Sequence, residues 1–151
     1  MRPISGFPIS WVLVRELALG PAPLATRHLD KLEAEGIRAV FSLCSEVEAP
    51  PAKGLTVRFH CRRLVLPDHR VGLLGLAELE QALVVLGELR EHGPVFVHCV
   101  AAMERSPLLC LAWLIRRHGL SQQRALDYLM QVHVGTNPLA SQLAVLAQLS
   151  Q

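Results

Sequence analysis

The sequence lacks a long apolar run, a basic tract and an internal repeat. Its longest uninterrupted apolar run, residues 108–115, is eight residues long, whereas a helix needs about 20 to cross a membrane. The start of the chain has no basic region followed by an apolar core. Basic and acidic residues are interspersed and the net charge is +2, which gives no indication of a nucleic-acid-binding surface. We therefore predict a cytoplasmic protein that binds neither membranes nor nucleic acids.

The sequence also lacks a metal-binding pattern. Its four cysteines include no CxxC pair, and its seven histidines are scattered singly. Zinc sites usually draw their ligands from closely spaced pairs, so we predict reduced thiols, no metal and no other cofactor. Lysine is scarce as well, occurring only at positions 31 and 53, and this preference for arginine is compatible with a GC-rich bacterial genome.

What the sequence does contain is an alternation of apolar strands with amphipathic helices. Its 151 residues suffice for one core and are too few for two, so residues 1–151 are assigned to a single domain. The predicted strands are residues 11–19 (one strand or a hairpin), 37–43, 55–67 (one or two strands) and 95–98. The predicted helices are residues 26–36, with Thr26 as N-cap, 76–91, 106–118, 121–133 and 139–149. This order predicts an α/β fold, a three-layer sandwich whose mixed, partly parallel central sheet is flanked by helices.

The segment VFVHCVAAMERSPLLC, residues 95–110, leads from a buried strand through a short loop into a helix. The free amides and the dipole at a helix N-terminus favour an anion. A helix start and a nearby arginine also lower the pKa of a cysteine below its usual value of about 8.5, so we expect Cys99 to be a thiolate nucleophile. Arg105 can hold two phosphoryl oxygens bidentately, and Ser106 can donate a hydrogen bond to the sulfur when it leaves. The pattern indicates nucleophilic attack on a bound phosphate.

These residues match a known signature. HCVAAMERS, residues 98–106, resembles the HCxxGxxRS loop of cysteine-dependent protein tyrosine phosphatases, specifically the small dual-specificity group. The resemblance implies hydrolysis of phosphomonoesters through a phosphocysteine intermediate, and it implies that His98 orients the loop and supports the thiolate. The phosphate-binding loop would consist of Val100, Ala101, Ala102, Met103, Glu104 and Arg105.

Two further segments extend the resemblance. LVLPDHR, residues 64–70, is similar to the segment that bears the general acid of the family. Asp68 is therefore expected to protonate the leaving oxygen and then to activate water, unless it is only a solvated turn residue. TNPLASQL, residues 136–143, resembles the segment whose asparagine braces the phosphate loop. Asn137 would have that role, although a turn residue before Pro138 is nearly as good an interpretation.

The remaining cysteines divide into one candidate redox partner and two core residues. IRAVFSLCSE, residues 37–46, looks like the family strand that ends beside the active loop. Some relatives carry a second cysteine there that traps the oxidised nucleophile as a disulfide. Cys44 occupies this position and is either that redox partner or a small core residue. Cys61 and Cys110 are assigned to core packing.

Two loop residues depart from the family pattern. The family usually has glycine where this chain has Ala102, and alanine costs on the order of 1 kcal/mol if the backbone there needs a positive φ. A catalytically weak, phosphopeptide-binding module is therefore the alternative to an enzyme. Glu104 would repel the additional phosphates of a polyphosphoinositide, so we predict a phosphorylated protein or another singly phosphorylated substrate. Glu104 can instead point away from the pocket as a residue of the first helical turn.

A different thiol enzyme, such as a sulfurtransferase or an arsenate reductase, is a third hypothesis, because these enzymes also place a cysteine in an anion-binding loop. The flanking residues His98 and Ser106 fit the dual-specificity pattern better. The sequence makes no prediction of the oligomeric state or of the preferred phosphorylated side chain.

Overall fold

The computed structural model of the protein describes residues 6–67, 74–102 and 104–149. The strands are β1 (Ser10–Leu13), β2 (Leu17–Gly20), β3 (Ala39–Ser42), β4 (His60–Arg63) and β5 (Val95–His98). The helices are α1 (Thr26–Ala34), α2 (Leu55–Arg58), α3 (Leu76–Arg90), α4 (Arg105–His118), α5 (Gln122–Val132) and α6 (Ala140–Leu149). No helix within these ranges is long and apolar enough to cross a membrane.

The five strands form one sheet in the order β1-β2-β5-β3-β4. Strands β2, β5, β3 and β4 are parallel to one another, whereas β1 pairs with β2 as an antiparallel hairpin. Side chains alternate between the two faces of a strand, and both faces of this sheet are covered. Leu17 and Leu19 pack in the core that includes α3 to α6, and Ala18 packs in the core that includes α1 and α2. The predicted mixed sheet flanked by helices is confirmed.

The centre of the sheet positions the loop of interest. Gly20 of β2 and Ser42 of β3 are both in register with His98 of β5. The loops that follow these three parallel strands therefore leave the sheet side by side. The carboxyl edge of such a sheet is where α/β proteins usually bind ligands, and Cys99 is the first residue beyond β5.

Two local predictions are wrong. The apolar residues at the start of segment 55–67 form the helical turn α2 rather than a strand, because Gly54 adopts a φ of 93° and turns the chain so that Leu55 is buried. The N-cap of α1 is Ala25 rather than Thr26. At this helix start the Nδ1 of His28 accepts hydrogen bonds from the backbone N–H groups of Leu24 and Ala25 and thus satisfies donors that have no partner within the helix.

Candidate active site

Cys99 is the first residue of the loop that joins β5 to α4. Its side chain is only 4% exposed, and its Sγ lies 3.3 Å from the Oγ of Ser106 in the first turn of α4. Ser106 is fully buried. The loop is also tied to the segment after β2, because the N–H of Ala22 donates to the carbonyl of Val100 over 3.1 Å. A hydroxyl group and the start of a helix therefore lie beside the sulfur.

The backbone of the loop is left-handed at Ala102. Its φ is 62°, and Arg15 is the only other non-glycine residue with a positive φ in the described parts of the chain. This is the position at which the resemblance leads us to expect glycine, so the conformation that favours glycine is retained with an alanine in place. The strain of a left-handed alanine is on the order of 1 kcal/mol. Met103, the next residue, lies outside the described residues.

Glu104 is the N-cap of α4, and its carbonyl accepts from the N–H of Leu108 over 2.9 Å. Its side chain is half-buried and its Oε1 accepts from Nε2 of Gln142 in α6 at 3.5 Å. Gln142 is 5% exposed, and its own Oε1 accepts from the N–H of Leu139. The last helix therefore contacts the loop through a side-chain amide that the sequence did not single out.

Arg105 is a buried cation with a fixed orientation. It is 5% exposed, and its Nη1 donates to the carbonyl oxygens of Leu66 and Leu43 at 3.2 and 3.5 Å. The carboxylate of Glu48 lies across the end of the guanidinium, with Oε1 3.3 Å from Nη1 and Oε2 3.0 Å from Nη2. Segments that follow β3 and β4 therefore converge on this one side chain.

Two of the five N–H groups of Arg105 are not used by acceptors among the described residues. A guanidinium carries five N–H groups. Glu48 and the two carbonyls take both hydrogens of Nη1 and one of Nη2. The Nε–H and the second Nη2–H have no partner among the described residues. These two bonds are parallel and form a fork that suits two oxygens of one phosphate.

Glu48 is a residue of the candidate site that the sequence analysis does not single out. Hydrogen bonding to Arg105 lowers the pKa of the Glu48 carboxyl, which is therefore ionised at neutral pH. Ser45 also holds it, since Oε1 of Glu48 accepts from the N–H of Ser45 and the Oγ of Ser45 accepts from the N–H of Glu48. The S-x-x-E spacing of these residues is a capping-box pattern, and this is the signal in the sequence by which Glu48 can be identified in the segment between β3 and α2.

His98 contacts the backbone of the loop as a neutral imidazole. Its Nδ1 lies 2.8 Å from the carbonyl oxygen of Cys99, and its Nε2 lies 2.7 Å from the Oγ of Ser42. A carbonyl can only accept, so Nδ1 carries the proton and Nε2 accepts from the Ser42 hydroxyl. Burial lowers the pKa of His98 to about 4. The histidine thus holds the backbone of the nucleophile and carries no charge at neutral pH.

Comparison with known proteins identifies the family. Residues 17–151 match the family described as "Dual specificity phosphatase, catalytic domain". The chain belongs to this family. Dual specificity protein phosphatase 2 from Mus musculus is 30% identical over 122 residues, which are 80% of this chain and 37% of that relative. Dual specificity protein phosphatase 14 from Homo sapiens is 29% identical over 117 residues, which are 77% of this chain and 56% of that relative. The chain thus spans only 37% and 56% of the length of these two relatives.

Solved structures agree with this assignment. Tk-PTP in its active form matches with a TM-score of 0.80 at 26% identity, covering 94% of this chain and 95% of Tk-PTP. PTPMT1 in complex with PI(5)P matches with a TM-score of 0.77 at 24% identity, covering 89% of this chain and 90% of PTPMT1. The dual-specificity phosphatase fold therefore extends over nearly the whole chain.

The structure places the other predicted site residues of this dual-specificity phosphatase domain as follows. Asp68 lies outside the described residues, but Leu66, two residues earlier, accepts the hydrogen bond from Arg105. Asn137 is exposed, and no hydrogen bond joins its side chain to another described residue. The loop carbonyl of Ala102 instead accepts from Nε2 of His133 at 2.7 Å. No group of three or more His, Cys, Asp or Glu side chains in the described ranges could hold a metal ion.

The cysteines of the domain differ in their contacts. Cys44 is fully buried, and its Sγ lies 3.4 Å from the carbonyl oxygen of Cys99. Burial raises the pKa of the Cys44 thiol against the opposing charge of Arg105. Cys110 is fully buried in the main core, and burial raises its pKa as well. Cys61 is half-buried against the second core.

The neutral state of His98 predicts how stability depends on pH. The folded-state pKa of about 4 lies below the usual 6.5, so between these values the unfolded chain binds a proton that the folded chain does not. The free energy of unfolding therefore falls as the pH drops through this window, by about 2 kcal/mol between pH 7.5 and 5 from this residue. Urea unfolding at the two pH values should show this loss in the wild type and lack it in His98→Asn. An equal loss in both proteins would contradict the assignment.

The ion pair of Glu48 with Arg105 predicts a change in phosphate affinity. Glu48→Gln removes the charge that holds the guanidinium, and misplacing a binding group by about 1 Å can cost up to roughly 100-fold. We expect inorganic phosphate to bind roughly tenfold more weakly, measured by calorimetry. The matched control is Glu46→Gln, because Glu46 is an exposed neighbour whose only ion-pair partner among the described residues is Arg63 at 4.0 Å. Tighter binding in Glu48→Gln would mean that Glu48 competes with phosphate instead of presenting the fork.

Proposed function

We propose that this domain hydrolyses phosphomonoesters as a protein tyrosine or dual-specificity phosphatase, with Cys99 as the nucleophile. The observation that carries the proposal is the buried Arg105, which keeps one two-pronged donor fork available next to the Cys99 loop. Membership of the dual-specificity phosphatase family supports the same activity.

The first step forms a phosphocysteine. The Cys99 thiolate attacks phosphorus, a P–S bond forms and the bond from phosphorus to the leaving oxygen breaks. Asp68 gives its proton to that oxygen, a role that comes from the family resemblance. The loop amides and the fork of Arg105 hold the remaining phosphoryl oxygens, so negative charge is stabilised where it develops.

The second step returns the free enzyme. Asp68, now ionised, takes a proton from water, the water oxygen attacks phosphorus and the P–S bond breaks, so that inorganic phosphate and the Cys99 thiolate are released. The hydroxyl of Ser106, 3.3 Å from the sulfur, can donate a hydrogen bond to the departing thiolate. This contact supports Ser106 as a catalytic residue.

The substrate class follows from the charge around the loop. Arg105 offers one fork, and the carboxylate of Glu104 lies at the same loop, where it makes its hydrogen bond to Gln142. A second phosphate that lay near this carboxylate would be repelled by it. We therefore favour a phosphorylated protein side chain or a small phosphomonoester over a polyphosphoinositide. The cytoplasmic location and the bacterial source remain predictions from composition.

The alternative function is a phosphopeptide-binding module with little or no turnover. The left-handed alanine at position 102 motivates it, because strain in the loop can misplace the amides that stabilise the transition state. Such a module would retain phosphate binding, which needs the Arg105 fork, and would lose hydrolysis.

Hydrolysis of p-nitrophenyl phosphate tests the proposal. Because Cys99 carries the covalent step, we expect Cys99→Ser to abolish turnover. Asp68→Asn should lower kcat by roughly 100-fold, within the usual range for general acid catalysis. Cys61→Ser, at a half-buried cysteine away from the loop, should leave kcat unchanged and serves as the control.

Phosphopeptide binding without turnover in the wild type would favour the binding module. Thiosulfate:cyanide sulfur transfer without phosphatase activity would favour a sulfurtransferase. A phosphotyrosine peptide, PI(5)P and a bisphosphorylated inositol lipid complete the substrate set, and equal rates on the first and the last would overturn the substrate preference.

The contact of the Cys44 sulfur with the backbone carbonyl of Cys99 supports a protective disulfide between the two residues. Hydrogen peroxide would convert the Cys99 thiolate to a sulfenic acid, and the Cys44 sulfur would then attack it, forming the S–S bond and releasing water. We expect mild peroxide to yield a Cys44–Cys99 disulfide by mass spectrometry, with activity restored by dithiothreitol. In Cys44→Ala the same treatment should inactivate the protein irreversibly, whereas Cys61→Ser should behave as the wild type. A free Cys44 thiol in protein whose Cys99 has been oxidised to sulfinic acid would contradict the proposed disulfide.

A further inference from the structure

We propose that His133, held by Ser10, is a positioning residue that fixes the left-handed phosphate loop at Ala102. This inference rests on the proposed function, since it concerns the same loop. It assigns a role to a histidine that neither the signature nor the family resemblance singled out.

The contact falls at the strained point of the loop. Ala102 combines a φ of 62° with a side chain that is only 1% exposed, and its carbonyl accepts from Nε2 of His133 at 2.7 Å. Because a peptide group is planar, a histidine that holds this carbonyl restrains the backbone of the loop at its left-handed residue. Amides of this loop are the groups proposed to bind phosphate.

The histidine is itself held on several sides. Its Nδ1 lies 2.8 Å from the Oγ of Ser10, the first residue of β1, which pairs with Leu19. Because the carbonyl of Ala102 can only accept, Nε2 carries the proton and Nδ1 accepts from the Ser10 hydroxyl. The backbone N–H of His133 donates to Leu129 at the end of α5, and its carbonyl accepts from the N–H and the Oγ1 of Thr136. The ring therefore has a set position relative to both the sheet and α5.

The alanine explains why such a brace is needed. A glycine at position 102 would adopt a positive φ at no steric cost, whereas an alanine is biased toward ordinary backbone conformations. The hydrogen bond from His133 favours the left-handed conformation of Ala102 over its competitors. The effect of losing His133 should therefore be larger with alanine at this position than with glycine.

Three substitutions at His133 and Ala102 test the proposal. His133→Ala removes the donor, whereas His133→Gln carries an amide N–H that can take the place of Nε2–H. Each is made in the wild type and in an A102G background. The control is His118→Ala, because the ring of His118 also hydrogen-bonds within the fold, to Glu16 at 2.8 Å, but lies at the far end of α4 from the loop. The readouts are kcat and KM for p-nitrophenyl phosphate, the affinity for inorganic phosphate and the urea midpoint of unfolding.

We expect His133→Ala to lower kcat and phosphate affinity roughly tenfold each, the scale expected when a binding group is displaced by a fraction of an ångström. His133→Gln should restore both to within about threefold, and in the A102G background the effect of His133→Ala should shrink to about threefold or less. A purely structural histidine would lower the urea midpoint in all backgrounds and leave kcat and phosphate affinity unchanged, which would overturn the proposal. If His133→Ala changed kcat and phosphate affinity by the same factors in the wild-type and A102G backgrounds, the proposal would also be overturned.

The outcomes separate this inference from the proposed function. If the wild type binds phosphate without turnover, the phosphatase proposal fails and phosphate affinity still tests His133. If the wild type binds no phosphate, the proposed function fails, and the urea midpoint of unfolding then tests the role of His133. If His133→Ala lowers the urea midpoint more in the wild-type background than in the A102G background, the proposed role of His133 is supported. An equal fall in the two backgrounds contradicts it.

Discussion

A guanidinium that is only 5% exposed, as in Arg105, is destabilising unless its charge and its N–H groups are matched. The segments after β3 and β4 supply that match through Glu48 and the carbonyls of Leu43 and Leu66. These contacts balance the charge of Arg105 and occupy three of its N–H groups, and they leave two N–H groups without a partner among the described residues. The same constraint that makes this cation tolerable in the core thus aims its remaining donors in one direction.

The loop around this arginine gains its shape from distant parts of the chain. His98 holds the carbonyl of Cys99 from β5, Gln142 reaches the N-cap Glu104 from α6, and His133 reaches Ala102 from the end of α5. These contacts come from elements packed on a sheet with apolar residues on both faces. A rigid scaffold that presents a polar loop at the carboxyl edge is the usual way in which an α/β fold holds a reactive side chain in place.

The predictions that depend on local pattern agree well with the structure. The strand before the cysteine is observed as Val95–His98, because three buried apolar, β-prone residues follow a Gly-Pro break. The predicted helix 121–133 is observed as Gln122–Val132 and begins after Ser121, whose Oγ accepts from the N–H of Arg124. The segment after Gly54 is the exception, because a short apolar run does not distinguish a strand from a helical turn when a positive-φ glycine redirects the chain. Glu48 and His133 were missed, because one lay in a loop without periodicity and the other contacts residues 31 and 123 positions away.

The sequence by itself determined the class of chemistry, since Cys99, Arg105 and Ser106 are neighbours along the chain and the helix start after them creates an anion site wherever the segment is placed. It also determined the alternation of strands and helices, because periodicity and glycine or proline breaks are local signals. Only the tertiary structure decided which carboxylate orients Arg105, which tautomer His98 adopts and which histidine braces Ala102. Those outcomes depend on hydrogen bonds between residues far apart in sequence, which no local pattern encodes and which form only once the sheet brings its loops to one edge.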